Sequence, residues 1–580
     1  MVLYIMKKIL VLAGLMLAAM PLFAQQVDRE CADPHPAPSA PWQAVKQVEL
    51  GWGTTDLRYQ KNEVPISTNK LELYAWRGER VNAQAVLLAP QAIQQLRFSV
   101  SDLRCGKEVI PAEAVHTYFV RYVLTDSYLD KSGKENHGAH LTAAFDSFLV
   151  ADRLDPAPVM TVESQTVRPL WIEIQVPESA LPGKYKGTLT ATCDGQSLSL
   201  PFTLQVSKRQ LPKPSDWAFH LDLWQNPYAV ARFHQVPLWS QAHFDLMRPL
   251  MEELAAAGQK VITTSIIQHP WNSQTEDPFE SMIGKRKAVD GSWSYDYAVF
   301  DRWVEFMMSC GITEQIDCYT IVPWHLIFEY YDEGTNCTRQ LKLNPGSEEY
   351  EAYLLPFLKD FAAHLKAKGW FGKTCIAMDE RPKHLLEPAY TVLYKADKQW
   401  RVKGAVNYFG PEVAERMYDI SFSYEQPLLT LEQLSSHIER GNRVTFYTCC
   451  SPERPNTFTF SAPAESAFLG WHAMAAGYSG YLRWAYNSWV KEAWQDSRFR
   501  TWPAGDCALV YPGGSSIRMK RLVEGIQDFE KIRILRKELK GNKLTRLNSE
   551  LQKFAPVVIG PEVNVEQMLQ EGRALLRALE

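Results

Sequence analysis

The later part of the chain repeats one pattern, in which an apolar run of strand length is followed by a loop, a helical stretch and a glycine. Glycine can supply a left-handed helix cap, and a new apolar run begins shortly after Gly258, Gly311, Gly369, Gly441 and Gly477. The predicted strands are 218–224, 261–267, 316–322, 374–378, 405–409, 420–423, 444–448 and 480–486. These eight strand–helix units predict a (β/α)8 TIM-like barrel over residues 216–540, with a doubly wound sheet as the alternative.

The earlier part of the chain has a different sequence pattern. Residues 42–210 contain short alternating runs separated by turns, such as 170–176, which leads through Pro182-Gly183 into another alternating run. This pattern predicts an antiparallel β-sandwich. Pro212 and Pro214 favour an extended linker after it. The chain is therefore predicted to be multidomain, with residues 541–580 forming amphipathic helices packed on the barrel.

The first 24 residues have the features of a secretory signal peptide. Lys7 and Lys8 precede a short apolar stretch, and Ala24 is a plausible cleavage residue. No lipobox precedes Cys31, and no other segment is apolar over about eighteen residues. We therefore expect an exported protein, periplasmic or secreted, with no membrane span.

Charge and cysteine usage exclude several classes of function. The net charge is -4 and the basic residues are scattered, which argues against a nucleic-acid partner. The ten cysteines have neither zinc-site spacing nor the density of a disulfide scaffold, so no metal and no cofactor are predicted. Cys449 and Cys450 are adjacent after the seventh strand, where they are interpreted either as buried thiols or as residues that line a site.

The fourth predicted barrel strand ends in two adjacent carboxylates, Asp379 and Glu380. Consecutive strand residues point to opposite faces, so both acids can share a cleft only where the strand ends and the backbone turns. Barrel enzymes place their chemistry at this end of the strands. If their pKa values are pushed apart, one acid can act as a charged stabiliser and the other as a general acid. A helix N-cap or a salt bridge to Arg381 is the structural alternative.

Aromatic and polar residues recur at the other strand ends. Indole and phenol rings suit the apolar faces of sugars, and the chain is 12% aromatic, although a large core is an equal explanation for that content. The recurrence predicts a carbohydrate cleft. The candidate substrate-binding residues are Trp224, His269, Trp271, Trp324, Tyr408, Tyr447, Trp484, Tyr486 and Asn487.

The order of a sandwich followed by a barrel is one basis for a resemblance to a known family. Three motifs add to it: Met378-Asp379-Glu380-Arg381-Pro382, Val510-Tyr511-Pro512-Gly513, and the helix from Ser516-Ile517-Arg518 to Gly525-Ile526-Gln527-Asp528-Phe529-Glu530. The chain resembles the β-N-acetylgalactosaminidases of glycoside hydrolase family 123. The resemblance implies a retaining, exo-acting enzyme that releases terminal β-linked N-acetylgalactosamine from glycans or glycolipid-type oligosaccharides. It also implies that the substrate acetamido group is the nucleophile and forms an oxazolinium intermediate.

The resemblance implies a role for each carboxylate. Glu380 would protonate the leaving oxygen, and anionic Asp379 would hold the acetamido N–H and raise the pKa of Glu380. From their positions, Tyr447 could bind the acetamido carbonyl, and Trp271 or Trp484 could lie under the sugar ring.

Two other functions remain open from the sequence. One is a glycosidase of another specificity that uses two carboxylates, with Asp222 or Glu425 as the second acid. The other is a non-catalytic exported glycan-binding protein. The sequence predicts neither the natural glycan nor the oligomeric state.

Overall fold

The structure, a computed structural model, describes residues 30–36, 38–136, 145–272, 274–407, 415–426, 429–557 and 559–580. The predicted signal peptide, 1–24, lies outside these residues. Within the described ranges, no helix is long and apolar enough to cross a membrane.

The N-terminal region is built of short strands. They are β1 (Glu49–Trp52), β2 (Glu72–Arg77), β3 (Arg80–Ala89), β4 (Ile93–Val100), β5 (Leu103–Cys105), β6 (Glu108–Ile110), β7 (Val115–Asp126), β8 (Ser147–Asp155), β9 (Met160–Val162), β10 (Thr166–Gln175), β11 (Gly183–Cys193) and β12 (Gln196–Gln210).

These strands form two packed sheets. One sheet has the order β1-β3-β10-β7-β8, and the other has the order β2-β12-β11-β4-β9, with β5 and β6 at its edge. Alternating apolar residues of both sheets, among them Leu87, Ile172, Leu189 and Phe202, fill the core between them. The predicted sandwich is confirmed, although β2 and β12 pair in parallel within otherwise antiparallel sheets.

The C-terminal region alternates strands and helices. Its strands are β13 (His220–Leu223), β14 (Val261–Ser265), β15 (Gly284–Lys287), β16 (Trp293–Asp296), β17 (Gln315–Tyr319), β18 (Ile327–Asp332), β19 (Cys337–Lys342), β20 (Thr374–Asp379), β21 (Arg401–Val406), β22 (Asp419–Ser423), β23 (Arg443–Tyr447), β24 (Gly480–Arg483) and β25 (Ser515–Ser516). Its α-helices are α1 (Pro227–His234), α2 (Gln241–Ala256), α3 (Ala298–Ser309), α4 (Glu348–Ala367), α5 (Lys383–Ala396), α6 (Leu431–Glu439), α7 (Pro463–Ala476), α8 (Ile517–Glu538), α9 (Gly541–Leu551) and α10 (Val565–Leu579).

Eight parallel strands form a nearly closed barrel, in the order β13-β24-β23-β22-β21-β20-β17-β14. The end strands β13 and β14 meet beside an isolated bridge between Leu221 and Gln259. Two buried glutamines replace the missing ladder bonds. Gln259 accepts from Leu223 N at 2.9 Å and donates to Val261 O at 2.7 Å, while Gln225 accepts from Thr263 N at 2.9 Å. The predicted barrel is confirmed.

One barrel strand differs from its predicted position. The fifth strand, β21, begins at Arg401, whereas the apolar run in the sequence predicts a start at residue 405. The early part of this strand carries Lys403, which points into the barrel and pairs with Asp222 and Asp317. Because a buried lysine breaks the apolar pattern, the sequence signal starts too late.

A second, smaller sheet was not predicted. Strands β15, β16, β18 and β19 form it in the order β16-β15-β18-β19. They are insertions that follow barrel strands β14 and β17. Their side chains are mixed and largely exposed, so they lack the clean apolar alternation that predicts a strand.

Helix α8 joins the barrel to the sandwich. Ser516 caps it by accepting a bond from Met519 N at 3.0 Å. Further along, Lys520 and Lys531 pair with sandwich residues Glu173 and Glu79. Strand β25, just before α8, extends the first sandwich sheet by pairing with β8. The two domains therefore share one continuous, ion-paired interface.

Candidate active site

A cavity of about 280 Å³ opens at the carboxyl ends of the barrel strands. Each of the eight strands, or the loop that follows it, supplies at least one residue to its lining. This is the end of a parallel barrel at which side chains from different strands converge. Asp379 and Glu380, at the end of β20, both line it.

The backbone at Glu380 turns out of the strand. Glu380 has φ +35, in the left-handed region that non-glycine residues rarely adopt, while its N–H still bonds to Ala405 O at 2.9 Å. The turn breaks the strand alternation, so two consecutive side chains reach the same cavity. A strained residue of this kind is held by its surroundings and is found mainly at functional sites.

Asp379 accepts a hydrogen bond at Oδ2 from Trp324 Nε1 at 3.0 Å. Burial and the neighbouring charge of Glu380 raise the pKa of Asp379 to about 7. The expected rise in the pKa of Glu380 stays a prediction. Asp379 therefore takes up a proton at higher pH than an ordinary aspartate does.

Glu380 has a different partner. The Tyr447 hydroxyl donates to Glu380 Oε1. Burial and the charge of Glu380 raise the pKa of Tyr447 further, so the phenol keeps its proton and remains a donor. The two adjacent carboxylates are thus oriented by separate donors, as expected for groups with distinct roles.

The helix N-cap alternative for the pair is not observed among the described residues. Helix α5 begins just after it, but its N-cap is Pro382 and no side chain caps it. The Arg381 guanidinium lies over the Trp324 ring, 5.5 Å from the centroid, and it donates to Trp324 O. Arg381 thereby supports the indole that binds Asp379.

Two pairs of aromatic side chains line the cavity. Trp224 and Trp271 stack at 5.1 Å with 29° between their planes. Trp484 meets Trp502 edge-on at 6.2 Å. The Trp484 indole donates to Asp506 Oδ1 at 3.1 Å, which fixes its orientation. Rigid aromatic faces combined with a few polar groups are typical of small-molecule sites.

The structure brings together five of the nine predicted substrate-binding residues: Trp224, Trp271, Trp324, Tyr447 and Trp484. It does not bring in His269, which is exposed on the loop after β14 and outside the lining. Tyr408 lies outside the described residues.

Tyr486 and Asn487 were predicted to bind substrate, but both have structural roles. Tyr486 is fully buried and donates from its hydroxyl to Leu250 O at 3.0 Å, so it fastens helix α2 to the barrel. The Asn487 amide exchanges two 2.9 Å bonds with the backbone of Asn226. Both residues follow the end of β24, where the chain has already turned away from the cavity.

Sequence reasoning did not identify Trp502 and Asp506. Both lie in the irregular segment between β24 and β25, which has no periodic pattern. Within it, Gly505 has φ +86, and an added Cβ would lie 2.3 Å from Thr459 Oγ1. A glycine and a carboxylate beside tryptophans were the available signal, but it is too weak to single out this segment.

The two carboxylates of the two-carboxylate alternative lie in different environments. Asp222 is 1% exposed inside the barrel, paired with Lys403, and is not part of the lining. Glu425 lines the cavity.

Among solved structures, the fold is similar to that of a family 123 glycoside hydrolase from Clostridium perfringens, described for its hydrolysis of glycolipid glycans. The chains are 24% identical and superpose with a TM-score of 0.83, over 92% of this chain and 98% of that one. A maltogenic α-amylase from Thermotoga neapolitana has a TM-score of only 0.31 at 11% identity, over 54% of this chain and 76% of its own. No curated protein has significant sequence similarity to this chain.

Two family models match the sequence in the order of the two domains. The glycoside hydrolase 123 N-terminal domain matches residues 52–192, within the sandwich region. The glycoside hydrolase 123 catalytic domain matches residues 224–535, more than half of the chain, including the cavity and most of α8. With paired carboxylates at the mouth of a barrel and both domains accounted for, the chain belongs to glycoside hydrolase family 123.

Proposed function

We propose that this glycoside hydrolase is a retaining, exo-acting β-N-acetylgalactosaminidase that uses the acetamido group of its substrate as the nucleophile. The observation that carries the proposal is the pair Asp379 and Glu380. The left-handed turn at Glu380 directs both acids into one cavity, and each has its own hydrogen-bond donor. Adjacent acids suit substrate assistance because no separate nucleophile has to stand opposite the general acid.

Asp379 acts on the acetamido group. When its N–H approaches, the hydrogen bond favours the anionic form of Asp379. In the proposed complex, Glu380 carries the proton. Substrate binding therefore sets the protonation states that the reaction needs, although the free protein has a raised pKa at Asp379.

Bond cleavage follows from this arrangement. The acetamido oxygen attacks the anomeric carbon while Glu380 protonates the departing oxygen. Positive charge develops on the oxazolinium ring, and the carboxylate of Asp379 stabilises it. Tyr447 keeps the Glu380 carboxyl oriented. Glu380, now deprotonated, removes a proton from the water that opens the ring, which restores the β-configuration.

The dimensions of the cavity favour cleavage at a chain end. Its volume of about 280 Å³ lies near the lower limit of small-molecule sites, roughly 300 Å³. This suits one terminal sugar unit against Trp224 and Trp271 or against Trp484. The relative from Clostridium perfringens acts on glycolipid glycans, and we propose similar oligosaccharides with terminal β-linked N-acetylgalactosamine as substrates here. We also propose that the protein acts after export, on the basis of its N-terminal 24 residues.

The test compares two aryl glycosides, the β-N-acetylgalactosaminide and the plain β-galactoside. The plain galactoside has no nucleophile and leaves Asp379 without an N–H partner. It should therefore react at least about 10³-fold more slowly in kcat/KM. The first product of the acetamido substrate should be the β-anomer, and NMR identifies the anomer as it forms. Comparable rates on the two substrates, or an α-anomer, would overturn substrate assistance.

Glu425→Gln tests the competing two-carboxylate mechanism and is the matched control for Asp379→Asn. Of the two second acids that the sequence offers, Asp222 and Glu425, Glu425 is the one that lines the cavity, so in a two-carboxylate glycosidase its amide should be inactive. Under substrate assistance, Glu425→Gln should keep most of the activity, whereas Asp379→Asn should lose it on every acetamido substrate, whatever the leaving group. If the wild-type protein binds the glycan tightly but does not cleave it, that result would support a non-catalytic glycan-binding protein instead.

A further inference from the structure

Two adjacent cysteines lie on the cavity wall, and the proposed mechanism does not use them. Cys449 and Cys450 follow strand β23 after Thr448, and both line the cavity. Their sulfurs are 3.7 Å apart. Cys449 is partly exposed, and Cys450 is 8% exposed. The wall that holds Tyr447 therefore continues into a pair of sulfurs in near contact.

The segment that carries the pair is held by buried hydrogen bonds. The Asn456 amide donates to Cys449 O at 2.9 Å and to Pro452 O at 2.6 Å. Cys449 N donates to Ser451 O at 3.0 Å. Asn456 is itself fixed by Arg483 Nη1, which donates to its Oδ1 at 2.8 Å. Because the backbone is already ordered, bringing the sulfurs together requires little further loss of conformational entropy.

We propose that Cys449 and Cys450 form a reversible disulfide, and that this bond weakens substrate binding in the cavity. The oxidant is a disulfide, either of a small thiol or of an oxidoreductase. The thiolate of the more exposed Cys449 attacks one oxidant sulfur, and the other leaves as a thiol after taking up a proton. Cys450 then loses its proton and attacks Cys449 Sγ, which releases the second thiol. Two electrons and two protons pass from the cysteines to the oxidant.

The order of attack agrees with the surroundings of each sulfur. Hydrogen bonding to Cys449, followed by burial, raises the pKa of the Cys450 thiol. The thiolate is the nucleophile in disulfide exchange, so Cys450 is the poorer initial attacker and serves as the resolving group.

The ring that a disulfide between Cys449 and Cys450 closes should be easy to reduce. Neighbouring Cα atoms are about 3.8 Å apart, whereas ordinary disulfides join Cα atoms about 4.4–6.8 Å apart. A bond between adjacent residues is consequently strained, and strained disulfides belong to the labile class. The pair therefore suits a reversible element better than a structural crosslink.

Closing the ring changes the cavity wall. The sulfurs must move from 3.7 Å to about 2.05 Å apart, and two S–H donors are lost. The change occurs close to Tyr447, whereas Asp379 and Glu380 lie at the end of another strand, β20. We therefore expect the larger effect on KM and a smaller one on kcat.

The experiment uses the full chain carrying Cys337→Ser, which removes an exposed cysteine on the inserted sheet. After treatment with glutathione disulfide and then iodoacetamide, the peptide with both cysteines should be lighter by two hydrogens and unalkylated. Dithiothreitol should reverse this. KM for the aryl glycoside that the protein cleaves should be at least about threefold higher in the oxidised form.

Cys449→Ser and Cys450→Ser in the same background are the matched controls. Neither can close the ring. Cys449→Ser has no attacking thiol, so its KM should be the same in oxidant and reductant, whereas Cys450→Ser has no resolving thiol and should stop at the mixed disulfide between Cys449 and glutathione, detected by mass. Alkylation of both cysteines after oxidation, a ring without a change in KM, or equal sensitivity of Cys449→Ser would overturn the proposal. The KM measurement rests on the proposed glycosidase activity, whereas the mass measurement does not. A wrong assignment of the sugar is thus distinguishable from failure of the disulfide.

Discussion

At the scale of single residues, the site depends on one backbone angle and two hydrogen-bond donors. A left-handed conformation at a residue other than glycine costs roughly 1–3 kcal/mol. At Glu380 that strain places its carboxyl beside that of Asp379 in the cavity. Trp324 and Tyr447 then differentiate two acids that would otherwise be equivalent. Backbone strain and separate donors together produce the chemical asymmetry that the reaction needs.

Glu380→Gln should reveal the general acid through its leaving-group dependence. General acid catalysis contributes about 10²- to 10⁴-fold, so hydrolysis of an unactivated glycan should fall by that factor. An aryl substrate with a good leaving group needs little protonation and should be affected much less. Initial rates on both substrates measure the difference, with thermal unfolding as the control for folding. A loss below about tenfold on the unactivated glycan would remove Glu380 from this role.

The same variant gives a pH readout on Asp379. In the parent enzyme, burial and the charge of Glu380 raise the pKa of Asp379 to about 7, so kcat/KM should fall as pH drops through that value. Glutamine removes the neighbouring charge, which lowers the pKa of Asp379. The acid limb of kcat/KM, measured with the activated aryl substrate, should therefore move to lower pH. An unmoved limb would show that Asp379 does not control it.

At the scale of elements, two crossing helices position the loops behind the cavity. Helices α7 and α8 approach so closely that a Cβ added at Gly525 would lie 2.3 Å from Ala467 O, and one at Gly470 would lie 2.0 Å from Gly525 O. Only glycine fits at this crossing because the obstructing atoms are backbone. The glycine of the Gly525-to-Glu530 motif is therefore explained by packing between helices.

Gly525→Ala should destabilise the protein without touching the cavity. Overpacking typically costs roughly 1–3 kcal/mol, and here the obstructing backbone cannot rotate away. Urea unfolding at neutral pH measures the change in the free energy of unfolding. Gly372→Ala is the matched control, because a Cβ there meets nothing within 4 Å and its φ is unstrained. Equal stability of the two variants would contradict the close crossing.

At the scale of the whole molecule, one buried carboxylate ties the sandwich to the barrel. Asp152 of β8 pairs with Arg58 at 2.9 Å and with Arg518 of α8 at 2.8 Å, and it accepts from the Tyr511 hydroxyl at 2.6 Å. Burial would raise the pKa of Asp152, but Arg518 and Arg58 outweigh it and hold the pKa below its usual range. Since Arg518 belongs to the helix behind the barrel, the stability of the two domains is coupled.

Asp152→Asn should lower the stability of the whole chain. Removing one partner of a buried ion pair costs roughly 3–5 kcal/mol, because the guanidinium groups stay buried without their counter-charge. Glu72→Gln, which breaks the exposed pair with Lys184, should leave urea unfolding almost unchanged.

The effect of Asp152→Asn on the stability of the protein should also depend on pH. A carboxyl whose pKa is lower in the folded state contributes stability above its unfolded pKa, about 3.9. That contribution is lost as pH falls through the folded value. The stability of the wild-type protein should thus decrease more steeply below about pH 4 than that of Asp152→Asn. Parallel acid profiles would contradict the assignment.

Local patterns in the sequence determined the sandwich, the barrel and the acid pair. Each follows from consecutive residues: alternation of two in the sandwich strands, a glycine after five of the helical stretches, and two carboxylates at the end of 374–378. The tertiary structure decided which distant groups meet. It buried Lys403 inside the barrel, turned Tyr486 and Asn487 away, and brought Trp502 and Asp506 to the wall. It also directed both acids into one cavity and set the two cysteine sulfurs 3.7 Å apart. Such contacts join segments far apart in the chain, and no local periodicity encodes them.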